Sequence, residues 1–191
     1  MNIRELVLAN RSYRRFKEDE PVETSTLKDL IDLARCSASA ANLQSLKYII
    51  ANTPERCELI YPTLSWAGYM PEWPGPEEGE RPPAYIIIIG DTEISKNFFC
   101  DHGIAAQSIL LGAAEKGVGG CMIGSIDRDA LRRHLLIPEK FEILLVIAMG
   151  YPAEKVVLEE IETDGSIKYY RDDTDVHHVP KRKLNDLIVD L

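Results

Sequence analysis

An unbroken apolar run at residues 85–90, Tyr-Ile-Ile-Ile-Ile-Gly, is the feature that most constrains the fold. Four consecutive isoleucines leave no polar side to face water, so the run predicts a strand that is buried on both faces. A second apolar stretch, 141–149, predicts another strand. Residues 97–117 predict the longest helix, which is apolar and rich in alanine and glycine. Small residues allow close packing, so we expect this helix to lie centrally.

Shorter patterns predict the other elements. An apolar face at the N-terminus predicts a helix that ends near Asn10. Thr24 or Ser25 can cap a second helix, and its predicted buried stripe consists of Leu27, Leu30, Ile31 and Ala34. Residues 48–51 predict a strand, and Pro54 is placed to open a short helix because proline suits the first helical turn.

Length and composition limit the class of protein. The chain has 191 residues, 45% of them hydrophobic, which predicts a single domain over 1–191 with one sizeable core. No apolar run is long enough to span a bilayer, and the N-terminus does not read as a signal peptide. The net charge of −9 argues against a general nucleic-acid binder. Four widely spaced cysteines predict free thiols in a reducing cytoplasm.

Residues 61–83 contain a run of prolines and glycines that predicts irregular structure from Met70 onward. The same segment carries Trp66, Tyr69 and Trp73. A long loop with large aromatic side chains is typical of a lid over a binding site, which would comprise residues 66–83. Alternatively, the rings pin the loop to the body of the protein.

Two polar segments carry candidate binding residues. Residues 11–16 read Arg-Ser-Tyr-Arg-Arg-Phe, and residues 37–44 read Ser-Ala-Ser-Ala-Ala-Asn-Leu-Gln. Arginines bind phosphate oxygens well, and small residues let the backbone approach a flat ligand. The pair therefore predicts two walls of a site for a phosphorylated planar cofactor. The alternatives are a solvated basic turn in the first segment and local turn hydrogen bonds in the second.

Four segments in order, 10–16, 38–46, 101–117 and 149–152, resemble the nitroreductase family of FMN-dependent oxidoreductases. The chain departs from the family pattern at a few positions. Asn10 stands in place of the family's first arginine, and Ala38, Ser45 and Leu46 stand in place of a proline and a Pro-Trp pair.

The resemblance implies an FMN site and a role for each matching residue. Arg11, Ser12, Lys181 and Arg182 would contact the phosphate. Arg14 would place a cation near the flavin N1 and O2 atoms. The residues implied for the ring edge and ribityl chain are Ser39, Asn42 and Gln44. The residues implied beside flavin N5 are Met122, Ile123 and Gly124. Gly117 fits either this site or a helix C-cap.

The resemblance also implies an assembly and a reaction. The fold would be α+β, with a central, mostly antiparallel sheet flanked by helices, in a homodimer whose tail, 151–191, crosses to the partner. NADH or NADPH would reduce FMN, and a nitroaromatic, quinone or similar acceptor would then be reduced in a ping-pong cycle. The alternatives are a flavin-modifying, dehalogenating or enal-reducing member of the same fold, and a non-catalytic flavin-binding protein.

Metal chemistry has little support in the sequence. The histidines, at positions 102, 134, 177 and 178, form no zinc spacing. His177 and His178 lie close to Asp173 and Asp175, but adjacent side chains cannot easily face one ion. We therefore predict no metal, and no nucleophilic triad is apparent.

Overall fold

The computed structural model describes residues 1–189, within which the chain forms five α-helices and seven strands. The helices are α1 (Ile3–Ala9), α2 (Thr24–Arg35), α3 (Pro54–Ile60), α4 (Asp101–Glu115) and α5 (Arg128–Leu135). The strands are β1 (Leu46–Ala51), β2 (Ala84–Asp91), β3 (Gly119–Ile123), β4 (Phe141–Gly150), β5 (Val156–Ile161), β6 (Tyr170–Arg171) and β7 (His177–Arg182). Within the described part of the chain, every helix is too short or too polar to cross a membrane.

The main sheet has four strands in the order β1-β2-β4-β3, and every neighbouring pair is antiparallel. The predicted central strand is β2, in which all eight residues are buried. Ile87 on β2 lies between Ile49 on β1 and Val146 on β4. The α+β class and the antiparallel central sheet are thus confirmed.

Side chains on β2 alternate between two cores, one on each face of the sheet. Tyr85 and Ile87 join the core beneath α3 and α5, while Ile86 and Ile88 join the core beneath α2 and α4. The two long helices approach closely at Gly112, where an added Cβ would lie 2.3 Å from Leu33 Cδ1. The small residues of α4 therefore permit the predicted close packing.

The predicted helix over 97–117 is shorter at both ends. It begins at Asp101 because the preceding residues form a turn, in which Phe99 N donates to Asn97 Oδ1 at 2.9 Å. It ends at Glu115, and Gly117 then adopts a φ of 74° while Val118 N donates to Ala113 O. Gly117 therefore ends the helix as the left-handed residue that follows the C-cap residue Lys116, which agrees with the capping interpretation.

Some local expectations fail for identifiable reasons. Helix α2 begins at Thr24 with Glu23 as its N-cap, and Thr24 Oγ1 instead accepts from Asn52 Nδ2 at 2.9 Å. Helix α5 was not predicted, although Asp127 caps it by accepting from Ala130 N. Strand β3 begins with two glycines, so its composition resembles a turn more than a strand.

Within the described residues the tail carries three strands, and its expected extension towards a partner stays a prediction. Strands β5, β7 and β6 form a second sheet in which β5 and β7 are parallel. This sheet packs on its own chain, where Arg171 pairs with Glu154, and Asp175 pairs with Arg15. Beyond it, residues 183–189 carry four exposed apolar side chains, and residues 190–191 of the expected tail lie outside the described residues.

The loop that joins α3 to β2 is irregular over 70–83, as predicted. Trp66 is buried in the core, and the Tyr69 ring lies 5.0 Å from the Tyr169 ring. Trp73 lies beneath the guanidinium groups of Arg15 and Arg171, at 6.0 and 5.1 Å. These contacts support the interpretation in which the aromatic side chains pin the loop to the body.

Candidate functional site

A cavity of about 350 Å³ lies where the segment after α1 meets α4, β3 and β7. It brings together five of the predicted cofactor residues: Arg11, Ser12, Arg14, Met122 and Lys181. Gln107 and Leu110 of α4 and Tyr169 and His177 of the tail complete most of its wall. Residues that are distant in sequence therefore meet in one site.

The cavity is cationic. Arg11, Arg14 and Lys181 line it, and no aspartate or glutamate does so among the described residues. Arg11 Nη2 donates to Val7 O at 2.6 Å, but its Nε is buried and has no partner within residues 1–189. Burial lowers the pKa of Arg11. An anion bound here would relieve the cost of this desolvated charge.

The backbone of residues 11–14 is held against β3. Ser12 forms an isolated parallel bridge with Gly120, and Tyr13 N donates to Gly120 O at 3.1 Å. This approach needs Gly119, because a Cβ there would lie 2.5 Å from Tyr13 Cδ2. Gly119 and Gly120 make β3 hard to recognise in the sequence. Gly119 also allows the cationic segment to lie alongside β3, the strand that carries Met122.

Arg14 is fixed in place by the tail. Its Nη1 lies 3.2 Å from His177 Nε2, and its guanidinium lies 4.7 Å from the centre of the Tyr169 ring. Burial, followed by the charge of Arg14, lowers the pKa of His177 to about 4. The imidazole is therefore neutral at pH 7, and its Nε2 accepts from Arg14 while Nδ1 carries the proton.

Glu154 joins the cationic segment to the tail. Its Oε1 accepts from the backbone N of both Arg14 and Arg15, the latter at 3.1 Å. Its Oε2 pairs with Arg171 Nη2, and the two side chains are only 1% and 9% exposed. One buried carboxylate thus satisfies three donors and fixes the backbone from which Arg14 projects.

Alternation along β7 separates two neighbouring cations. His177, Val179 and Lys181 line the cavity, whereas Arg182 does not. Arg182 is exposed, and its Nη1 donates to Thr163 O at 3.4 Å. Because successive side chains of a strand point to opposite faces, only one of the pair can enter the cavity. The expectation that Arg182 contacts phosphate does not fit this placement.

The Ser39 loop lines a separate cavity of about 210 Å³, together with Gln44 and Asp101. Ser39 Oγ donates to Asp101 Oδ2 at 2.7 Å and accepts from Gln44 N at 3.0 Å. Gln44 Nε2 donates to Asn42 O at 3.3 Å, and Asn42 is exposed outside this cavity. The bonds of Gln44 match the alternative of local turn hydrogen bonds, whereas Ser39 donates to Asp101, which lies 62 residues away, and has no free proton left to donate to a ligand.

The two residues after Met122 lie away from the cationic cavity. Ile123 is buried in the core beneath α3 and α5, and Gly124 is exposed. Gly124 O accepts a long hydrogen bond from Arg128 Nη2 at 3.4 Å. Of the three residues expected beside the flavin, only Met122 lines this cavity.

Sequence reasoning missed several residues of the two cavities, among them Asp101, Gln107, Tyr169 and His177. Tyr169 and His177 contact Arg14, Gln107 lines the same cavity, and Asp101 anchors the Ser39 loop. A usable signal existed for one of them. The sequence His-His-Val-Pro-Lys-Arg at 177–182 places His177 and Lys181 on one face of any strand.

The pKa values of the adjacent residues His177 and His178 should lie on opposite sides of the ordinary histidine value of 6.5. His177 should titrate near pH 4, whereas hydrogen bonding to Asp172, at 2.9 Å from Nε2, raises the pKa of His178. By linkage, the contribution of His177 to the free energy of unfolding is fully present above pH 6.5 and is lost as the pH falls towards 4. The contribution of His178 to the free energy of unfolding is fully present below pH 6.5 and is lost as the pH rises through its raised pKa.

An NMR titration of the ring protons, assigned with single His→Gln substitutions, measures both values. Asp172→Asn should move only the His178 titration back towards 6.5. Co-titration of the two rings at one pH would contradict the structure.

Comparison with known proteins identifies the class. The sequence model of the Nitroreductase family matches residues 7–67 and 73–151, which is most of the chain. The four segments that resemble the family in order agree with this match, and so does the cationic cavity. The chain belongs to the nitroreductase family and is an oxidoreductase of that family.

The matches to individual proteins extend over most of this chain and most of each relative. A protein of Methanothermobacter thermautotrophicus, provisionally named NADH dehydrogenase/NAD(P)H nitroreductase, is 31% identical over 161 residues, covering 81% of this chain and 79% of the relative. A nitroreductase family protein from Clostridium difficile 630 has the same fold, with a TM-score of 0.66 at 20% identity over 81% of this chain and 86% of that one. An FMN-dependent nitroreductase from Clostridium difficile R20291 gives 0.62 at 24% identity, over 82% and 90%.

Proposed function

We propose that this chain is an FMN-dependent oxidoreductase that takes electrons from NADH or NADPH and reduces a nitroaromatic, a quinone or a similar acceptor. The observation that carries the proposal is the cavity lined by Arg11, Arg14 and Lys181, to which no carboxylate of residues 1–189 contributes. The buried Arg11 Nε, which has no partner among the described residues, fits a phosphorylated cofactor well. The names of the archaeal relative and of the FMN-dependent structural neighbour support the same function.

The residues of the cavity divide by chemistry. Arg11, Ser12 and Lys181 offer charged and hydroxyl donors suited to a phosphate. Met122 and Leu110 offer apolar surface suited to a flat ring. FMN, when bound, supplies the redox chemistry by accepting hydride from the nicotinamide and passing electrons to the acceptor. The protein's part is to bind, to orient and to set the local charge.

Arg14 is the residue that we assign to the flavin N1 and O2 edge. It has a fixed position because His177 accepts from it and Tyr169 packs against it. A preorganised cation stabilises negative charge that develops on a neighbouring ring. Neutral His177 orients this cation without adding a competing charge.

We further propose a cytoplasmic homodimer of single-domain chains, spanning 1–191, in which the Ser39 loop of one chain completes the cationic cavity of the other. In a single chain these two groups line separate cavities. Gly103 and Gln107 are exposed on α4, and they line a further shallow cavity with the partly buried Ile104. The exposed apolar residues of 183–189 then remain available for the partner, although the tail sheet packs on its own chain.

The test is a visible absorption spectrum of the purified protein, followed by anaerobic addition of NADH and then NADPH. A flavin spectrum that bleaches with either nucleotide and recovers with a quinone supports the proposed function. A bound flavin that stays oxidised with both nucleotides indicates a non-catalytic flavin-binding protein. Failure to bind added FMN would overturn the cofactor assignment.

A further inference from the structure

A further cavity, of about 830 Å³, shares no lining residue with the cationic cavity or the Ser39 cavity. It lies between residues 18–21, helix α3 and residues 81–83. Its volume falls within the range of pockets that enclose small organic molecules, about 300–1,000 Å³.

The floor of this cavity contains an unsatisfied hydroxyl. Tyr85 lines the cavity and is fully buried, and its hydroxyl has no hydrogen-bond partner within residues 1–189. Cys57, Tyr61 and Arg81 lie near enough to influence its ionisation, and all three also line the cavity. Buried polar atoms without partners are rare, so a ligand atom that bonds this hydroxyl would remove a real cost.

Part of the lining is an apolar surface made of five prolines and Tyr61. Arg81 stacks over the Tyr61 ring at 4.5 Å, and Tyr61 Oη is fixed by donating to Pro76 O at 2.7 Å. The prolines that line the cavity are Pro21, Pro54, Pro62, Pro82 and Pro83. Proline rings and a fixed tyrosine present a preformed apolar surface that loses little entropy when a flat molecule binds.

The polar lining is negatively charged. Glu18, Asp19, Glu58 and Glu78 line the cavity with Arg81 as the one cation among the described lining residues. Glu18 Oε2 accepts from the backbone N of Gly79 and Arg81 at 2.6 and 3.2 Å, which fixes one carboxylate on the wall. None of the four carboxylates forms a salt bridge to another residue in 1–189. The charge therefore favours a cation.

From this cavity we infer a second ligand site, which binds a small organic cation with a flat apolar body, such as an aromatic amine. The ammonium group lies among the carboxylates, the ring lies on the prolines and Tyr61, and a polar ring atom bonds Tyr85 Oη. Burial raises the pKa of the Cys57 thiol to about 12, so the thiol stays protonated and binding is non-covalent.

The test compares three probes of one shape by calorimetry on the FMN-loaded protein: tryptamine, 3-methylindole and indole-3-acetate. Tryptamine should bind at least about tenfold more tightly than the neutral probe, as expected for paired charges, and indole-3-acetate more weakly still. The flavin absorption spectrum should not change, because the site is separate from the cationic cavity. Equal affinity for all three probes, or no binding of any, would overturn the proposal.

Variants locate the site. The double substitution Glu58→Gln and Glu78→Gln should weaken tryptamine binding about tenfold, and Tyr85→Phe should weaken it about fivefold. Glu72→Gln is the matched control, because Glu72 is exposed, lies on the same loop as Glu78 and does not line the cavity. If the control variant weakens binding as much as the cavity variants, or the flavin spectrum shifts on binding, the assignment of this cavity is wrong.

Discussion

Replacing Glu154 by alanine should lower the free energy of unfolding by about 3–5 kcal/mol, the scale of a broken buried ion pair. The carboxylate is 1% exposed and pairs with Arg171, which is 9% exposed. Its removal leaves the backbone N of Arg14 and Arg15 without their acceptor. It also leaves Arg171 with the exposed Asp175 as its remaining ion-pair partner among the described residues. Chemical denaturation of the apoprotein, fitted with a common slope, measures the change.

The matched control is Glu80→Ala. Glu80 also pairs with an arginine, Arg15, at 3.0 Å, but its side chain is 37% exposed. Exposed pairs contribute about 0–1 kcal/mol, so this variant should stay close to the parent protein. If the two variants were equally stable, burial of Glu154 would have no energetic role, and the tail would not depend on it.

Arg11→Ala should weaken FMN binding by about 2–3 kcal/mol, the scale of a lost charged hydrogen bond, or roughly 30- to 150-fold in dissociation constant. The expected effect is large because Arg11 lines the cationic cavity half-buried and its Nε has no partner within the described residues. Titration of the apoprotein with FMN, followed by quenching of flavin fluorescence, measures the constant.

Arg182→Ala serves as the charge-matched control for this measurement. It removes the same charge from the same chain, but from the outer face of β7, where the side chain contacts Thr163 O. FMN affinity should change less than about twofold, since an exposed charge at a distance is screened by salt. A loss of FMN affinity in Arg182→Ala as large as that in Arg11→Ala would return Arg182 to the phosphate site that the resemblance implies.

The core of the fold was predictable because its signals are local. A run of isoleucines can be satisfied only by burial on both faces, and 85–90 is indeed the middle of β2. Strand β3 was not recognised, since glycine is a poor strand former and its role at Gly119 is to admit Tyr13. The need for glycine at position 119 arises from packing against Tyr13, which is far away in sequence. A short stretch of sequence therefore does not reveal it.

The candidate site was predictable only in part. Arg11, Ser12 and Arg14 occupy one cavity because a short segment carries them together. Lys181 and Arg182 could not be separated until the register of β7 was known, and a shift of one residue would exchange their faces. The role of Ser39 depends on Asp101, which is far away in sequence and reaches the loop only after α4 has packed.

The contacts of Arg14 make the tail and the cavity thermodynamically inseparable. His177 and Tyr169 belong to the tail, yet they fix a cation that lines the cationic cavity. If docking of the tail raises the affinity of the cavity for an anion by some factor, a bound anion favours docking of the tail by the same factor. The reason is that binding free energies are reciprocal. Retention of the cofactor would therefore report directly on how firmly residues 169–181 are seated.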